Sequence, residues 1–194
     1  MPGKISGQSK LESPEEKNSM LTVGAKFPEF SAPACVGPDP KNMTTISNST
    51  LKGHWSIFIF YPKDFTFVCP TELVEFNNRV ADFKDRDAKV YGASTDNEYS
   101  HLAWCKSHEG LAQLKYPLIA AQKLSQDLGI IDPNAHVCLR ATYIVDPNGV
   151  IQWAEANALS VGRNSGEVLR VLDALQSDEL CPCNWKKGDP TLKV

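Results

Sequence analysis

Residues 61–72 read Tyr-Pro-Lys-Asp-Phe-Thr-Phe-Val-Cys-Pro-Thr-Glu and mark the point where two different apolar patterns meet. The preceding run, residues 55–61, is almost continuously apolar and has the length of a strand buried on both faces. The following stretch, residues 70–84, carries apolar side chains at helical spacing, namely Leu73, Phe76, Val80 and Phe83. Together these patterns predict a core strand, a loop, and a helix that begins next to Cys69.

Cys69 lies where that helix begins, a position that favours a reactive thiol. Unpaired backbone N–H groups and the positive end of the helix dipole both stabilise a thiolate there. Thr66 is near enough in a tight loop to hydrogen bond the sulfur or a bound oxygen, Pro62 shapes the loop and shields the thiolate from water, and Glu72 lies near the positive end of the dipole. The alternative is that Cys69 is a small buried hydrophobe, as free cysteines often are.

The pattern Pro-x-x-x-Thr-x-x-Cys, formed by Pro62, Thr66 and Cys69, resembles the peroxidatic signature of the peroxiredoxins. The likeness extends over residues 21–187, and it is to the alkyl hydroperoxide reductase C-component group of the typical 2-Cys class. The resemblance implies a thiol peroxidase that reduces hydrogen peroxide and organic hydroperoxides. Cys69 would attack the peroxide and become a sulfenic acid.

Two arginines acquire a role through the same resemblance. Arg140, just before a predicted strand, matches the active-site arginine of the family, which would stabilise the thiolate and hold the peroxide oxygens. Arg163 matches a second, outer arginine of the site. Without the resemblance, each would be interpreted as a surface charge.

The C-terminal residues 180–185, Leu-Cys-Pro-Cys-Asn-Trp, resemble the resolving segment of the family. By that pattern, Cys181 of the partner subunit condenses with the sulfenic acid and forms an intersubunit Cys69–Cys181 disulfide. Cys183 is an additional thiol, so the sequence leaves open which tail thiol forms the first disulfide with Cys69. It also suggests a second exchange step between Cys183 and Cys181. The competing interpretation of Cys-x-Cys is half of a zinc site, although no second cysteine or histidine pair stands nearby in the sequence.

The order of predicted elements indicates an α/β fold with a mixed central sheet flanked by helices. By resemblance this is the thioredoxin-like fold of the peroxiredoxins. The chain divides into a flexible extension (1–20), a peroxidase domain (21–176) and a polar tail that carries the resolving cysteine (177–194). Strands are predicted over 55–61, 89–95, 116–120, 140–145 and 150–156, and helices over 70–84, 99–109, 122–128 and 165–176, with 33–54 mostly loop that includes a short hairpin.

Composition excludes several classes of protein. A net charge of -3 gives no reason to expect binding to nucleic acid or to a membrane surface. No apolar run is long enough to span a bilayer, and the first residues lack the apolar core of a secretory signal, so a cytoplasmic location is expected. The six cysteines are then expected to be free, catalytic or metal-bound and not a structural disulfide framework.

The implied mechanism needs no metal or organic cofactor, because sulfur carries the redox change. The reductant would be thioredoxin, a dedicated flavoprotein or another dithiol. The family forms homodimers that close into a ring, here a decamer or dodecamer, with the edge strand 150–156 as the expected dimer contact. Two other classes compete: a holdase chaperone or scaffold ring, and a thioredoxin-type disulfide reductase, which would need a Cys-x-x-Cys at Cys69.

Overall fold

The apolar run before the Cys69 loop forms the centre of a seven-stranded sheet. The structure is a computed structural model that describes residues 19–193. In chain order the strands are β1 (Ser31–Cys35), β2 (Met43–Ser47), β3 (Trp55–Phe60), β4 (Ala88–Ser94), β5 (Leu118–Ala120), β6 (Arg140–Val145) and β7 (Ile151–Asn157). Their order in the sheet is β2-β1-β5-β4-β3-β6-β7, with β3 parallel to β4 and antiparallel to β6. The predicted mixed sheet is confirmed, and β7 lies at its edge as expected for 150–156.

Alternate side chains of β3 point to opposite faces of the sheet and enter two separate apolar clusters. Ile57 and Ile59 join the cluster covered by helices on one face, whereas Phe58 and Phe60 join the cluster on the other. Because both faces are covered, the strand is apolar at consecutive positions and does not alternate.

Between residues 19 and 193, six α-helices cover these faces: α1 (Asn48–Leu51), α2 (Val68–Asn78), α3 (Val80–Lys84), α4 (Glu98–Ser107), α5 (Gln122–Asp127) and α6 (Ser165–Ser177). Helices α2, α3, α4 and α6 supply apolar side chains to one cluster, and α1 and α5 to the other. Helix α2 is thereby fixed against the centre of the sheet, which sets the position of Cys69.

The single helix predicted over 70–84 is wrong, because the chain forms two helices that separate at Arg79. The backbone of Arg79 has φ -101° and ψ 7°, outside the helical range. Just before it, the side chain of Asn77 donates to the carbonyl of Gln113 and accepts from the N–H of Lys115, at 3.0 and 2.9 Å. Asparagine is a poor helix former, and these tertiary bonds hold the chain where α2 ends.

A turn and a hairpin that the sequence predicts are both present in the structure. The predicted turn between β6 and β7 closes through a bond from the N–H of Gly149 to the carbonyl of Asp146 at 2.9 Å, and Gly149 adopts a φ of 76°. The short hairpin within 33–54 is formed by β1 and β2, although β1 begins earlier, at Ser31.

Between residues 19 and 193, no helix has the length and apolar character needed to cross a membrane. The predicted extension 1–20 lies, except for its last two residues, outside the described residues.

Candidate active site

Cys69 is the second residue of α2 and is almost fully enclosed, with 1% of its surface exposed. It lies in the first turn, where the backbone N–H groups have no acceptor within the helix. Pro70 follows within the same turn, where its missing N–H removes no helical bond. Local sequence thus supplies a helix start, and the packing of α2 on β3 buries it.

Arg140 brings a positive charge to the sulfur. It is the first residue of β6, and its Nη1 lies 3.4 Å from Cys69 Sγ. The guanidinium is itself held by a bond from Nε to the carbonyl oxygen of Leu159 at 2.7 Å. Since the side chain is only 4% exposed, its charge acts on the sulfur with little screening by water. The arrangement places a buried positive charge directly against the Cys69 sulfur.

Glu72 connects two arginines at this site. It lies one turn after Cys69 on the same helix face, and its Oε2 accepts from Arg140 Nη1 at 2.6 Å. Arg163 donates to both oxygens of the same carboxylate, from Nε at 2.8 Å and Nη2 at 3.0 Å. The Arg163 side chain is fully buried, so a surface charge is the wrong interpretation for it. Its other bonds reach the carbonyl oxygens of Phe60 and Ala141, so Arg163 locks Glu72 to the sheet.

The loop between β3 and α2 holds the two remaining residues of the signature. Pro62 is buried at the start of this loop. Thr66 differs from the expectation of a bond to sulfur, because its hydroxyl donates to the carbonyl of Lys63 at 2.8 Å. That bond uses the hydroxyl proton and leaves the Thr66 oxygen as an acceptor.

The tail cysteines lie against the end of α6. Cys181 is partly exposed, with its Sγ 3.4 Å from Ser177 Oγ, and Cys183 is exposed. The tail is held at Trp185, whose side chain is buried and whose backbone carbonyl accepts from Arg170 Nη1 at 3.0 Å. All six cysteines are free thiols, so neither tail thiol is joined to Cys69 in this state.

Known proteins with the same architecture were found by both sequence and structure. The family model "AhpC/TSA family" matches residues 23–154. Alkyl hydroperoxide reductase C of Mycolicibacterium smegmatis is 49% identical over 187 residues, which is 91% of this chain and 95% of the relative. The structure of Mycobacterium tuberculosis AhpC superposes with a TM-score of 0.78 at 44% identity, covering 87% of this chain and 100% of that one. The reduced 2-Cys peroxiredoxin of Plasmodium vivax gives a TM-score of 0.81 at 33% identity, covering 88% and 92%.

This chain belongs to the AhpC/TSA family. The resemblance inferred from residues 61–72 is therefore confirmed, and so is the peroxiredoxin fold. The AhpC/TSA match includes Cys69 and Arg140, whereas Arg163 and the tail cysteines lie beyond its last residue. Among residues 19–193 there is no group of three or more His, Cys, Asp or Glu side chains placed to hold a metal ion.

Sequence reasoning missed a buried polar network that anchors the active-site loop of this AhpC/TSA member. Asp64 Oδ2 lies 2.8 Å from His101 Nδ1 on α4, and Asp64 Oδ1 accepts from Tyr61 Oη at 2.9 Å. His101 is separated from Asp64 by 37 residues and was one of four scattered histidines, so no local spacing connects them. The sequence signal was Asp64, a carboxylate in the loop between a buried strand and a helix.

The Asp64–His101 pair predicts a dependence of stability on pH. Burial disfavours the charged imidazole, but the hydrogen bond and the charge of Asp64 outweigh it and raise the pKa of His101. The charged ring then donates to Asp64 and to the Ile119 carbonyl. With a raised folded-state pKa, this stabilisation is complete below the unfolded value of about 6.5 and is lost as pH rises through the folded value.

We therefore expect His101→Gln to lower the free energy of unfolding by about 3 kcal/mol near pH 6, since it leaves the buried Asp64 carboxylate without its positively charged partner. The loss should shrink as pH rises, as measured by urea unfolding at a series of pH values. His54→Gln is the matched control, because His54 forms an exposed pair with Asp87 that is worth at most about 1 kcal/mol. An equal loss for His101→Gln at every pH would contradict the charged pair.

Proposed function

We propose that the chain reduces hydrogen peroxide and organic hydroperoxides, with Cys69 as the attacking thiolate and Arg140 as the group that stabilises it. The observation that carries the proposal is the buried Cys69 sulfur at a helix start, 3.4 Å from the Arg140 guanidinium. Peroxide reduction by cysteine and disulfide cycling is the chemistry of the family, and curated relatives are called alkyl hydroperoxide reductase C. An organic cofactor or metal has no step to perform in this chemistry.

In the first step, the Cys69 thiolate attacks the terminal peroxide oxygen and the O–O bond breaks. The sulfur loses two electrons and becomes a sulfenic acid, while the departing oxygen takes a proton and leaves as water or an alcohol. Arg140 stabilises the negative charge that develops on the departing oxygen. The Thr66 hydroxyl donates its proton to the backbone carbonyl of Lys63, so its oxygen can accept a hydrogen bond from the incoming peroxide. Pro62 keeps bulk water from the thiolate.

In the second step, Cys181 of the partner subunit attacks the sulfenic acid, forming the intersubunit disulfide and releasing water. Cys69 is too enclosed to meet another chain where it lies, so the first turn of α2 opens before the disulfide forms. Cys183 of the same tail then attacks the Cys69 sulfur of this disulfide, so that a Cys69–Cys183 bond forms, the Cys69–Cys181 bond breaks and Cys181 leaves as a thiol. Because Cys183 is exposed, this exchange presents the disulfide at the surface. An external dithiol, either thioredoxin or a flavoprotein-dependent reductant, restores the thiols.

A homodimer supplies the partner thiol. Strand β7 is the last strand in the sheet order, and only its start, at Ile151, is bonded on the outer side, to Gly24 and Ala25, among the described residues. This edge supports pairing between two copies, and closure of dimers into a decamer or dodecamer follows the family. Six free thiols suit a reducing compartment, which supports the cytoplasm. The scaffold or holdase function is the rival, and it would leave peroxide unconsumed.

The disulfide pathway predicts different products for two tail variants. With a single equivalent of hydrogen peroxide and no reductant, the reduced protein should consume the peroxide and run as a covalent dimer on a non-reducing gel. Cys181→Ser should consume the same amount but run as a monomer, whereas Cys183→Ser should still form the dimer. A dimer that persists in Cys181→Ser and disappears in Cys183→Ser would assign the resolving role to Cys183. A protein that consumes no peroxide would favour the scaffold.

A further inference from the structure

A cleft with a volume of about 720 Å³ opens at the edge of the sheet opposite the active site. Cys69 follows the end of β3, whereas the cleft is lined by the start of β4, where Ala88 pairs with Trp55, the first residue of β3. Residues of β2, of α3 and of the segment just before β5 also line it. No step of the proposed peroxidase cycle uses this part of the molecule.

The cleft exists because β5 begins too late to cover the start of β4. Strand β4 begins at Ala88, but its pairing with β5 begins only at Gly92, opposite Leu118. Pro117, just before β5, accepts a hydrogen bond from the Gly92 N–H at 3.0 Å, but it has no N–H of its own with which to extend the ladder. Residues 88–91 therefore have β3 on one side and, within the described part of the chain, no strand on the other.

Val90 has two unpaired backbone groups at this gap. Asp87 and Ala93 accept hydrogen bonds on the β3 side of the strand, whereas Gly92 and Ser94 bond residues on the β5 side. Because the direction alternates along the strand, Val90 directs its N–H and its carbonyl away from β3, and neither group has a partner among the described residues. Unpaired backbone groups on a buried residue are costly, and an oxygen atom of a ligand can accept from the N–H.

The floor of the cleft is apolar. Ile46, Val90 and Tyr116 line it, and all three side chains are buried. The hydroxyl of Tyr116 is already bonded to the Leu73 carbonyl at 2.7 Å, so the aromatic ring is what this residue offers a ligand. Ile46 and Val90 belong to the two different apolar clusters, so the floor joins the edges of both.

Three lysines line the same cleft, namely Lys84 at the end of α3, Lys89 on β4 and Lys115. All three are exposed, and none forms an ion pair between residues 19 and 193, where the paired lysines are Lys123 and Lys187. No acidic residue is among the described residues that line the cleft. Positive groups around an apolar floor complement a ligand that has one negative group and an apolar body.

We propose that this cleft binds an alkyl carboxylate, that is, a fatty acid of medium chain length, with its chain on the apolar floor and its carboxylate among Lys84, Lys89 and Lys115. The volume lies within the usual range of small-molecule sites, roughly 300–1,000 Å³. Lysine carries its charge on a flexible stem, so three ammonium groups can gather around one carboxylate. The unpaired Val90 N–H is a further donor for a carboxylate oxygen. Cys69 takes no part, so the site is tested apart from the proposed peroxidase cycle.

The test titrates the full, reduced chain with decanoate, kept below its critical micelle concentration, in an isothermal calorimeter. We expect saturable binding that weakens as sodium chloride is added, because salt screens exposed charges. Decyltrimethylammonium has a chain of the same length and the opposite charge, and it should not bind. Decanoate that carries a photoreactive diazirine on its chain should label peptides that contain residues 84–91 or 115–117.

Charge variants locate the carboxylate. The triple variant Lys84→Gln, Lys89→Gln and Lys115→Gln should bind decanoate about tenfold more weakly, because it loses three exposed charge contacts. The matched control removes the same net charge from exposed lysines that do not line the cleft, and it should bind like the wild-type protein; its changes are Lys41→Gln, Lys106→Gln and Lys123→Gln. Circular dichroism checks that both variants are folded.

Ala81 provides a second variant that does not remove a lysine. It is exposed on α3 and lines the cleft, so Ala81→Glu places a negative charge there, whereas Ala81→Gln adds nearly the same bulk without the charge. Ala81→Glu should weaken decanoate binding more than Ala81→Gln does. Absence of saturable binding, equal binding of the cation, labelling confined to other peptides, or unchanged affinity in both the triple variant and Ala81→Glu would overturn the proposal.

Discussion

Replacing Arg140 with methionine is expected to slow the oxidation of Cys69 by hydrogen peroxide by about 10²–10³-fold, the usual cost of losing one preorganised donor in an enclosed site. Methionine keeps the length of the side chain but removes the charge that lies 3.4 Å from the sulfur. Glu72 still has Arg163 as its partner, so the local ion pair survives the change. The rate constant is measured by stopped flow or by competition with a second peroxide scavenger.

Arg140→Lys should oxidise Cys69 at a rate between those of Arg140→Met and the wild-type protein. Lysine keeps the positive charge. It lacks the planar guanidinium with which Arg140 contacts the sulfur, Glu72 and the Leu159 carbonyl at the same time. The control is Arg86→Met, because Arg86 forms a bidentate pair with Asp173 outside the active site and should not affect the rate. Oxidation of Arg140→Met at the wild-type rate would show that the guanidinium does not activate Cys69.

Glu72→Gln is expected to lower the free energy of unfolding by about 3–5 kcal/mol, because it leaves two buried guanidiniums without their shared anion. The three side chains are no more than 4% exposed, so water cannot replace the lost charge. Urea unfolding at matched protein concentration measures the difference. Glutamine keeps the size of the side chain, which separates the loss of charge from the loss of packing.

Glu75→Gln is the matched control for this prediction. Glu75 follows Glu72 on the same helix and also pairs with an arginine, Arg79, but its side chain is 47% exposed. Exposed pairs contribute about 1 kcal/mol or less, so this variant should be close to wild type. Equal losses for the two variants would mean that burial of the Glu72 cluster contributes no extra stability.

The local features of the active site could be predicted from the sequence. The apolar run of β3, the loop and the start of α2 follow from neighbouring residues, because strand burial, turns and helix starts are set over a few positions. The signature formed by Pro62, Thr66 and Cys69 added the chemistry through its resemblance. The helix break at Arg79 was not predictable, because Asn77 bonds residues that are 36 and 38 positions away.

The long-range contacts were beyond the sequence. Arg163 lies 91 positions from Glu72, and Arg140 lies 71 positions from Cys69. Only the order of strands in the sheet brings these groups together, and composition and spacing do not determine that order. For the same reason, the pairing of Asp64 with His101 became visible only in the structure.

Peroxide is expected to oxidise the Cys69 sulfur first, and trapping the first product tests this directly. The protein with Cys181→Ser and Cys183→Ser is reduced and mixed with a single equivalent of hydrogen peroxide in the presence of dimedone, which labels sulfenic acids. Peptide mass spectrometry should find the label on Cys69, with Cys35, Cys105 and Cys138 still thiols. Consumption of the peroxide with Cys69 unlabelled and still a free thiol would contradict the account.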